Sequence, residues 1–174
     1  MDRPFPDRAA FSAAVAEHQR GVFFHALRLT RGDEQLARDV TQRTFLKAWT
    51  ARDGFRGDSS VKTWLYRIAH NLALNELRRA HRRREIGQDD DLPSASVEPS
   101  TPADIDDARQ RAALRDAVHA LSPRQRDVTL LRLYGDLSFA EIAGVLGISA
   151  NSAKVNYHHA TRNLERRLAR GGAA

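Results

Sequence analysis

The sequence predicts an all-α protein of two small helical domains joined by a flexible linker. Three observations carry that prediction. Apolar residues recur at helical spacing from Phe11 to about Arg84, with strand-like alternation almost absent. Composition then shifts abruptly in "EIGQDDDLPSASVEPSTPADIDD", and explicit helix-start signals return after about Asp107. The resulting division is a domain over residues 1–85, a linker over 86–106 and a domain over 107–174.

At 174 residues and 41% hydrophobic content, the chain can fill one ordinary core or two small ones. Lys and Arg outnumber Asp and Glu by 28 to 22, a net charge of +6 that suits a polyanion or an acidic surface as partner. The bases are overwhelmingly arginine, the lysines being Lys47, Lys62 and Lys154, and guanidinium favours bidentate contact with phosphate. The chain has no cysteine, which excludes disulfides, thiolate zinc sites and cysteine nucleophiles. "MDRPFPDRAAFSAAVAEHQ" carries acids and two prolines where a signal peptide would need an apolar run. No stretch approaches the ~18 apolar residues of a membrane span, so a cytoplasmic protein without direct membrane insertion is expected.

In the first half, breaks at "TRGDE" and "ARDGFRGDSS" leave three or four helices. The clearest places Val61, Trp64, Leu65, Ile68 and Leu72 on one side and Lys62, Thr63, Tyr66, Arg67 and His70 on the other, one face to bury and one to offer. Tyr66 and His70 on that polar side could stack with unpaired bases, the other reading being a solvated face with an amphipathic tyrosine. Trp64 on the apolar stripe is expected in the core, whereas Phe55, in the loop, needs a packing or binding reason. The helix ends in "RRAHRRR", whose Arg78, Arg79, Arg82, Arg83 and Arg84 offer either a solubilising surface or phosphate contacts. The acidic, proline-rich stretch that follows reads as a tether. Roughly twenty residues at ~3.3 Å each span about 65 Å, near two turns of duplex at ~34 Å each.

In the second half, "SPRQ" offers Ser122 as N-cap, Pro123 at the first helical position and Gln125 at the third, a capping-box arrangement that "SFAE" repeats with Ser138 and Glu141. Gly135 and Gly147 mark helix ends, and Ser149 caps the next start. The product is helix, turn, helix, with Ile142, Ala143 and Leu146 facing Ala153, Tyr157, Ala160 and Leu164. Asn151, Ser152, Lys154, Val155, His158 and His159 then point away from the core, free to approach base edges or phosphates. A helical hairpin with no nucleic-acid role is the bland alternative. Adjacent His158 and His159 lie about 100° apart on a helix, poorly placed to share a metal. The chain has no phosphate-cradling glycine loop, serine elbow or HExxH, so neither catalysis nor a cofactor is expected.

Taken together, these segments resemble the sigma-70 family, specifically its compact extracytoplasmic-function (ECF) branch. "ARDVTQRTFLKAW" resembles the segment that docks on the polymerase clamp. "FRGDSSVKTWLYRIAHNLALNELRR" is similar to the segment that melts and reads the minus-ten element, and "LSPRQRDVTLLRLYGDLSFAEIAGVLGIS" to the domain that reads the minus-thirty-five element. The resemblance implies a sigma region 2-like bundle over 1–85 and a sigma region 4-like helix-turn-helix over 107–174. It places Asp39, Gln42, Phe45 and Trp49 on or behind the clamp-binding helix, core packing being the other reading of Phe45 and Trp49. It makes Phe55, Arg56, Gly57, Asp58, Ser59 and Ser60 the loop that receives a flipped base. Lys62, Thr63, Tyr66, Arg67, His70 and Asn71 join them in minus-ten binding, and Asn151, Ser152, Lys154, Val155, His158, His159 and Arg162 serve the minus-thirty-five element.

The implied partners are bacterial core RNA polymerase, promoter DNA and an anti-sigma factor. RNA synthesis would belong to the polymerase, this chain acting as an initiation factor without catalytic residues. Where the family usually has something like "GTVKSRLHRAR", this chain has "NSAKVNYHHAT", which removes several permanent charges and predicts weaker nonspecific phosphate binding and a different minus-thirty-five preference. Arg43 also stands where an acid is common. Two other classes compete: a helix-turn-helix regulator that binds an operator without joining polymerase, and a nuclease, which the lack of clustered carboxylates near the basic faces disfavours.

Overall fold

The computed structural model describes residues 5, 7–85 and 102–171, which form seven α-helices and one 3₁₀ turn. Helix α1, Arg8–Leu29, starts where the Asp7 carboxylate accepts the Ala10 N–H at 2.8 Å. It stops at Thr30, followed by Arg31 and Gly32 in left-handed conformations. Helix α2, Glu34–Ala51, is capped by Asp33, whose carboxylate accepts the Leu36 N–H at 2.9 Å. The 3₁₀ turn Arg52–Gly54 and a loop lead to α3, Val61–Glu85, which packs with α1 and α2 as a three-helix bundle. The tie between α2 and α3 is Arg43, which donates to Glu76 at 2.7 Å as well as to Asp39 at 3.1 Å.

Helix α4 spans Pro102–His119, so helix begins inside the stretch read as linker, whose residues 86–101 lie outside the described residues. Helices α5, Pro123–Leu133, α6, Phe139–Leu146, and α7, Ala150–Gly171, complete the C-terminal half. The box predicted at "SFAE" is present: Ser138 and Glu141 bond reciprocally, and Gly147 closes α6 with φ 64°. The box predicted at "SPRQ" is not. Ser122 makes no side-chain cap bond, and Gln125 instead accepts from Asn163 of α7 at 3.1 Å, a tertiary partner outcompeting the local one. Ser149 does cap α7, accepting the Ser152 N–H at 3.0 Å.

The two halves share their cores. One cluster joins Phe11, Val22, Leu65, Tyr66 and Ala69 of the first half to Val128, Leu131, Leu137, Ile142 and Ala153 of the second. The other joins Leu29, Val40 and Leu72 to Val118, Leu121, Leu130, Ala160 and Leu164. Ala160 and Leu164, expected to face α6, therefore lie in the cluster built from α4, α5 and the first half. Only the N-terminal part of α7 serves the α6 crossing.

Candidate nucleic-acid interface

The loop between α2 and α3 combines an open tip with an anchored base. Arg56, Gly57 and Asp58 are exposed, Gly57 taking φ 78°, which suits glycine, and Arg56 and Asp58 lie 3.6 Å apart in solvent. Phe55 answers the question its loop position raised: its ring stacks on Trp64 at 4.5 Å and 20°. Phe5 and Phe11 extend this aromatic cluster to Trp49. Trp64, expected in the core, is half-buried, one ring face covered by Phe55. At the other end of the loop Ser59 is half-buried, and Ser60 accepts the Thr63 N–H at 3.1 Å, starting α3.

The polar side of α3 is not the open face that its periodicity suggests. Thr63, Tyr66 and His70 are 1%, 3% and 2% exposed, because α6 packs across α3 and α5 meets α1 alongside it. The reading of Tyr66 and His70 as solvent-facing is therefore corrected: a helix wheel sees one helix, and the covering residues lie some sixty positions later. Lys62, half-buried, donates to the Asp136 carbonyl at 3.1 Å. Arg67 and Asn71 remain exposed, Arg67 reaching over α6, where a Cβ on Gly144 would lie 3.4 Å from its guanidinium.

Beneath this cover sits a buried polar chain. His25 Nε2 and His70 Nδ1 are 3.3 Å apart, and His70 Nε2 lies 3.6 Å from Asp127 Oδ2. Burial first, then His70 and Arg28, hold the His25 imidazole well below its ordinary value. Burial likewise pushes the Tyr66 hydroxyl up. His25 Nδ1, Arg126 Nε and Asp127 Oδ1 are buried without a hydrogen-bond partner, the last two forming an ion pair with each other at 3.6 Å.

Helix α2 presents a second, open face. Asp39, Gln42 and Leu46 recur at i, i+3 and i+7, and Leu46 is 62% exposed. Phe45 and Trp49 are partly buried and pack on the core, Trp49 also under the Arg52 guanidinium at 3.8 Å. Leu46, exposed on this face, was not among the candidates read from the sequence. Its spacing from Asp39 and Gln42 was the available signal, overshadowed by the larger aromatics beside it.

On α7, Asn151, Lys154, Val155, His158, His159 and Arg162 are exposed, Val155 at 45%. Ser152 is half-buried and its carbonyl accepts from the Asn156 amide at 2.8 Å. These side chains form one outward stripe, opposite Ala153 and Ala160. At the end of α3, Arg78, Arg79, Arg82 and Arg83 are exposed, Arg79 bonded to Glu76 at 2.8 Å; the Arg84 side chain lies outside the described residues. Among the described residues no group of three or more His, Asp or Glu side chains is placed to hold a metal ion, and no helix is long and apolar enough to cross a membrane.

Comparison with known proteins matches residues 14–83 to the family described as Sigma-70 region 2 and residues 111–164 to Sigma-70, region 4. The chain is 36% identical to the ECF RNA polymerase sigma factor SigL of Mycobacterium tuberculosis, over 91% of this chain and 88% of SigL. It is also 36% identical to SigG of the same organism, over 82% of this chain, but spans less than half, 44%, of SigG's length. Among solved structures, the sigma factor RpoE from Bartonella quintana, in complex with the anti-sigma factor NepR, shares the fold. Its TM-score is 0.74 and its identity 23%, covering 91% of this chain and 96% of that one. CnrH, in complex with the cytosolic domain of CnrY, gives a TM-score of 0.69 at 25% identity, over 94% of this chain and 90% of that one.

Proposed function

We infer the function of this protein from its family: the chain belongs to the ECF branch of the sigma-70 family of RNA polymerase sigma factors. It directs core polymerase to specific promoters and helps to melt the minus-ten region. In this reading the exposed α2 stripe of Asp39, Gln42 and Leu46 docks on polymerase, carboxylate and amide flanking an apolar anchor. The loop Phe55–Ser60 and the α3 residues Arg67 and Asn71 hold the opened strand. Unstacking a base costs a few kcal/mol, which a receiving pocket offsets. The outward stripe of α7 reads the minus-thirty-five element, Lys154 and Arg162 supplying phosphate contacts and the neighbouring polar side chains base-edge contacts.

What supports this reading is the order of three parts in one chain: the exposed α2 stripe, the α2–α3 loop followed by the exposed Arg67 and Asn71 of α3, and the helix-turn-helix of α6 and α7. A regulator that only bound an operator would leave the first two without a task. The protein works in the cytoplasm as an initiation factor, without catalytic residues or cofactor of its own. SigL carries the same role in its name, and RpoE and CnrH were each captured with an anti-sigma factor or its domain, which supports an anti-sigma partner here. The test is copurification with core polymerase, followed by Arg67→Ala. Promoter opening should fall while duplex binding persists; equal loss of both contradicts the assignment.

A further inference from the structure

A cleft of about 1300 Å³ opens along the seam between the two halves, walled by the α1–α2 turn, the middle and end of α3, α4, the start of α5 and the end of α6. Its lining is strongly basic. Arg31, Arg78, Arg115, Arg124 and Arg126 line it together with three acids, two of which are already engaged. The Asp33 carboxylate caps α2, and that of Asp127 lies 3.6 Å from both Arg126 and His70, leaving the exposed Asp116 as the third. Arg124 donates to the Leu146 carbonyl at 3.3 Å. Arg31, Arg78 and Arg115 are exposed, and among the described residues their guanidiniums make no hydrogen bond or ion pair.

Two further features of the lining favour negative charge. His119 lies in the wall with its Nδ1 buried and without a hydrogen-bond partner. Burial first, then Arg31 and Arg126, bring this imidazole down to about 4, Asp116 opposing them and Arg115 adding to them. Positive charge therefore converges on a ring that is neutral at pH 7, and an anion entering the cleft meets the same field. The start of α5 lies in the same wall. Ser122 makes no side-chain cap bond, unlike Asp7, Asp33 and Ser138 at the starts of α1, α2 and α6, so the first N–H groups of this helix lack a side-chain acceptor.

We propose that this cleft is a binding site for a small polyphosphate anion, held by the guanidiniums of Arg31, Arg78 and Arg115 and by the start of α5. Guanidinium forks match phosphate oxygens two at a time, and three unengaged ones balance the charge of a di- or triphosphate rather than that of a single carboxylate. The leucines beside them, Leu29, Leu36, Leu74, Leu77 and Leu146, give the cleft an apolar wall against which a nucleobase can lie, so the phosphates can belong to a nucleotide or to inorganic polyphosphate. The site is separate from the surfaces given to polymerase and promoter. Of the residues assigned to the opened strand only Asn71 also lines the cleft, and none of the α2 or α7 stripe does.

Calorimetric titration of the full chain with sodium tripolyphosphate, at a fixed ionic strength of about 0.15 M, tests the site without polymerase or DNA. Binding should saturate at a single site, and thermal unfolding should move upward with ligand concentration. Arg31→Gln/Arg115→Gln should weaken binding by about tenfold or more, the loss expected for charge-assisted phosphate contacts. Both side chains are exposed and unbonded, so this variant should keep the wild-type circular dichroism; if it fails to fold, Arg78→Gln alone should show the weakening. ATP in place of tripolyphosphate separates the two sources: tighter binding assigns a nucleoside polyphosphate, and equal or weaker binding an inorganic one. Absence of saturable binding overturns the proposal. So does an equal loss from Lys154→Ala/Arg162→Ala on α7, which would mark the binding as general attraction to a basic chain.

Discussion

Glu141 Oε1 accepts the Thr63 hydroxyl at 3.2 Å across 78 positions of sequence, while Oε2 accepts the Ser138 N–H at 2.9 Å and its hydroxyl at 2.8 Å. One carboxylate therefore caps α6 and fastens α6 to α3. The Ser138 backbone bond, foremost, holds this carboxyl below its ordinary value, with the Ser138, Thr63 and Ser60 hydroxyls adding to the effect.

A double-mutant cycle isolates that contact. Glu141→Ala should lose ~1 kcal/mol of capping, and the Glu141–Thr63 coupling should add about 0.5–1 kcal/mol beyond the single variants in urea unfolding. Zero coupling would mean that α6 does not rest on α3 in solution.

Arg43→Ala should destabilise the first half. Its guanidinium meets Glu76 at 2.7 Å, and that bond is the first cause of the Glu76 carboxyl lying below its ordinary value. Arg43 is 37% exposed, so solvent screening limits the loss to about 1 kcal/mol. A shift of the urea midpoint without a change in slope is the expected signature.

Acidification should loosen the seam. His25 faces His70 and Tyr66 of α3, and Arg28 of its own helix, with Asp127 and Arg126 of α5 beyond His70. His119, at the end of α4, is lowered to about 4 by burial and by Arg31 and Arg126. A histidine whose folded value lies below its unfolded value of 6.5 binds more protons unfolded. Its neutral-form stabilisation is present above 6.5 and fades as pH falls toward 4. Thermal unfolding should therefore drop across that window. His119→Gln, which cannot be protonated, should flatten the decline; a profile identical to wild type would remove His119 from the account.

Leu46→Ala should leave stability within about 0.5 kcal/mol, as expected for an exposed side chain, yet weaken core-polymerase binding by about tenfold as a lost interface anchor. Equal binding of the variant, measured by competition for core, would shift the docking face away from α2.

Helix boundaries and capping were largely legible because their causes are local. Ser138 and Glu141 stand three residues apart and Gly147 follows α6, whereas α4 starts at Pro102, ahead of the Asp107 expected to open that half. The identity of the outward stripe on α7 was legible for the same reason. What escaped was long-range. Tyr66 and His70 read as a polar face because nothing near them in sequence announces α5 and α6 as their cover. Gln125 left its predicted box for Asn163, 38 positions away. Phe55 was legible as a residue in need of a partner, but its stacking on Trp64 was not, since the loop's return path is set by the bundle.

The central claim is that this chain directs polymerase to promoters, and run-off transcription tests it most directly. Purified bacterial core polymerase should transcribe a fragmented genomic library with and without the protein. New, discrete start sites that appear only with the protein, and share upstream elements at minus ten and minus thirty-five, are the predicted result. Absence of new starts, while the protein alone binds duplex DNA tightly, would contradict the account and identify an operator-binding regulator instead.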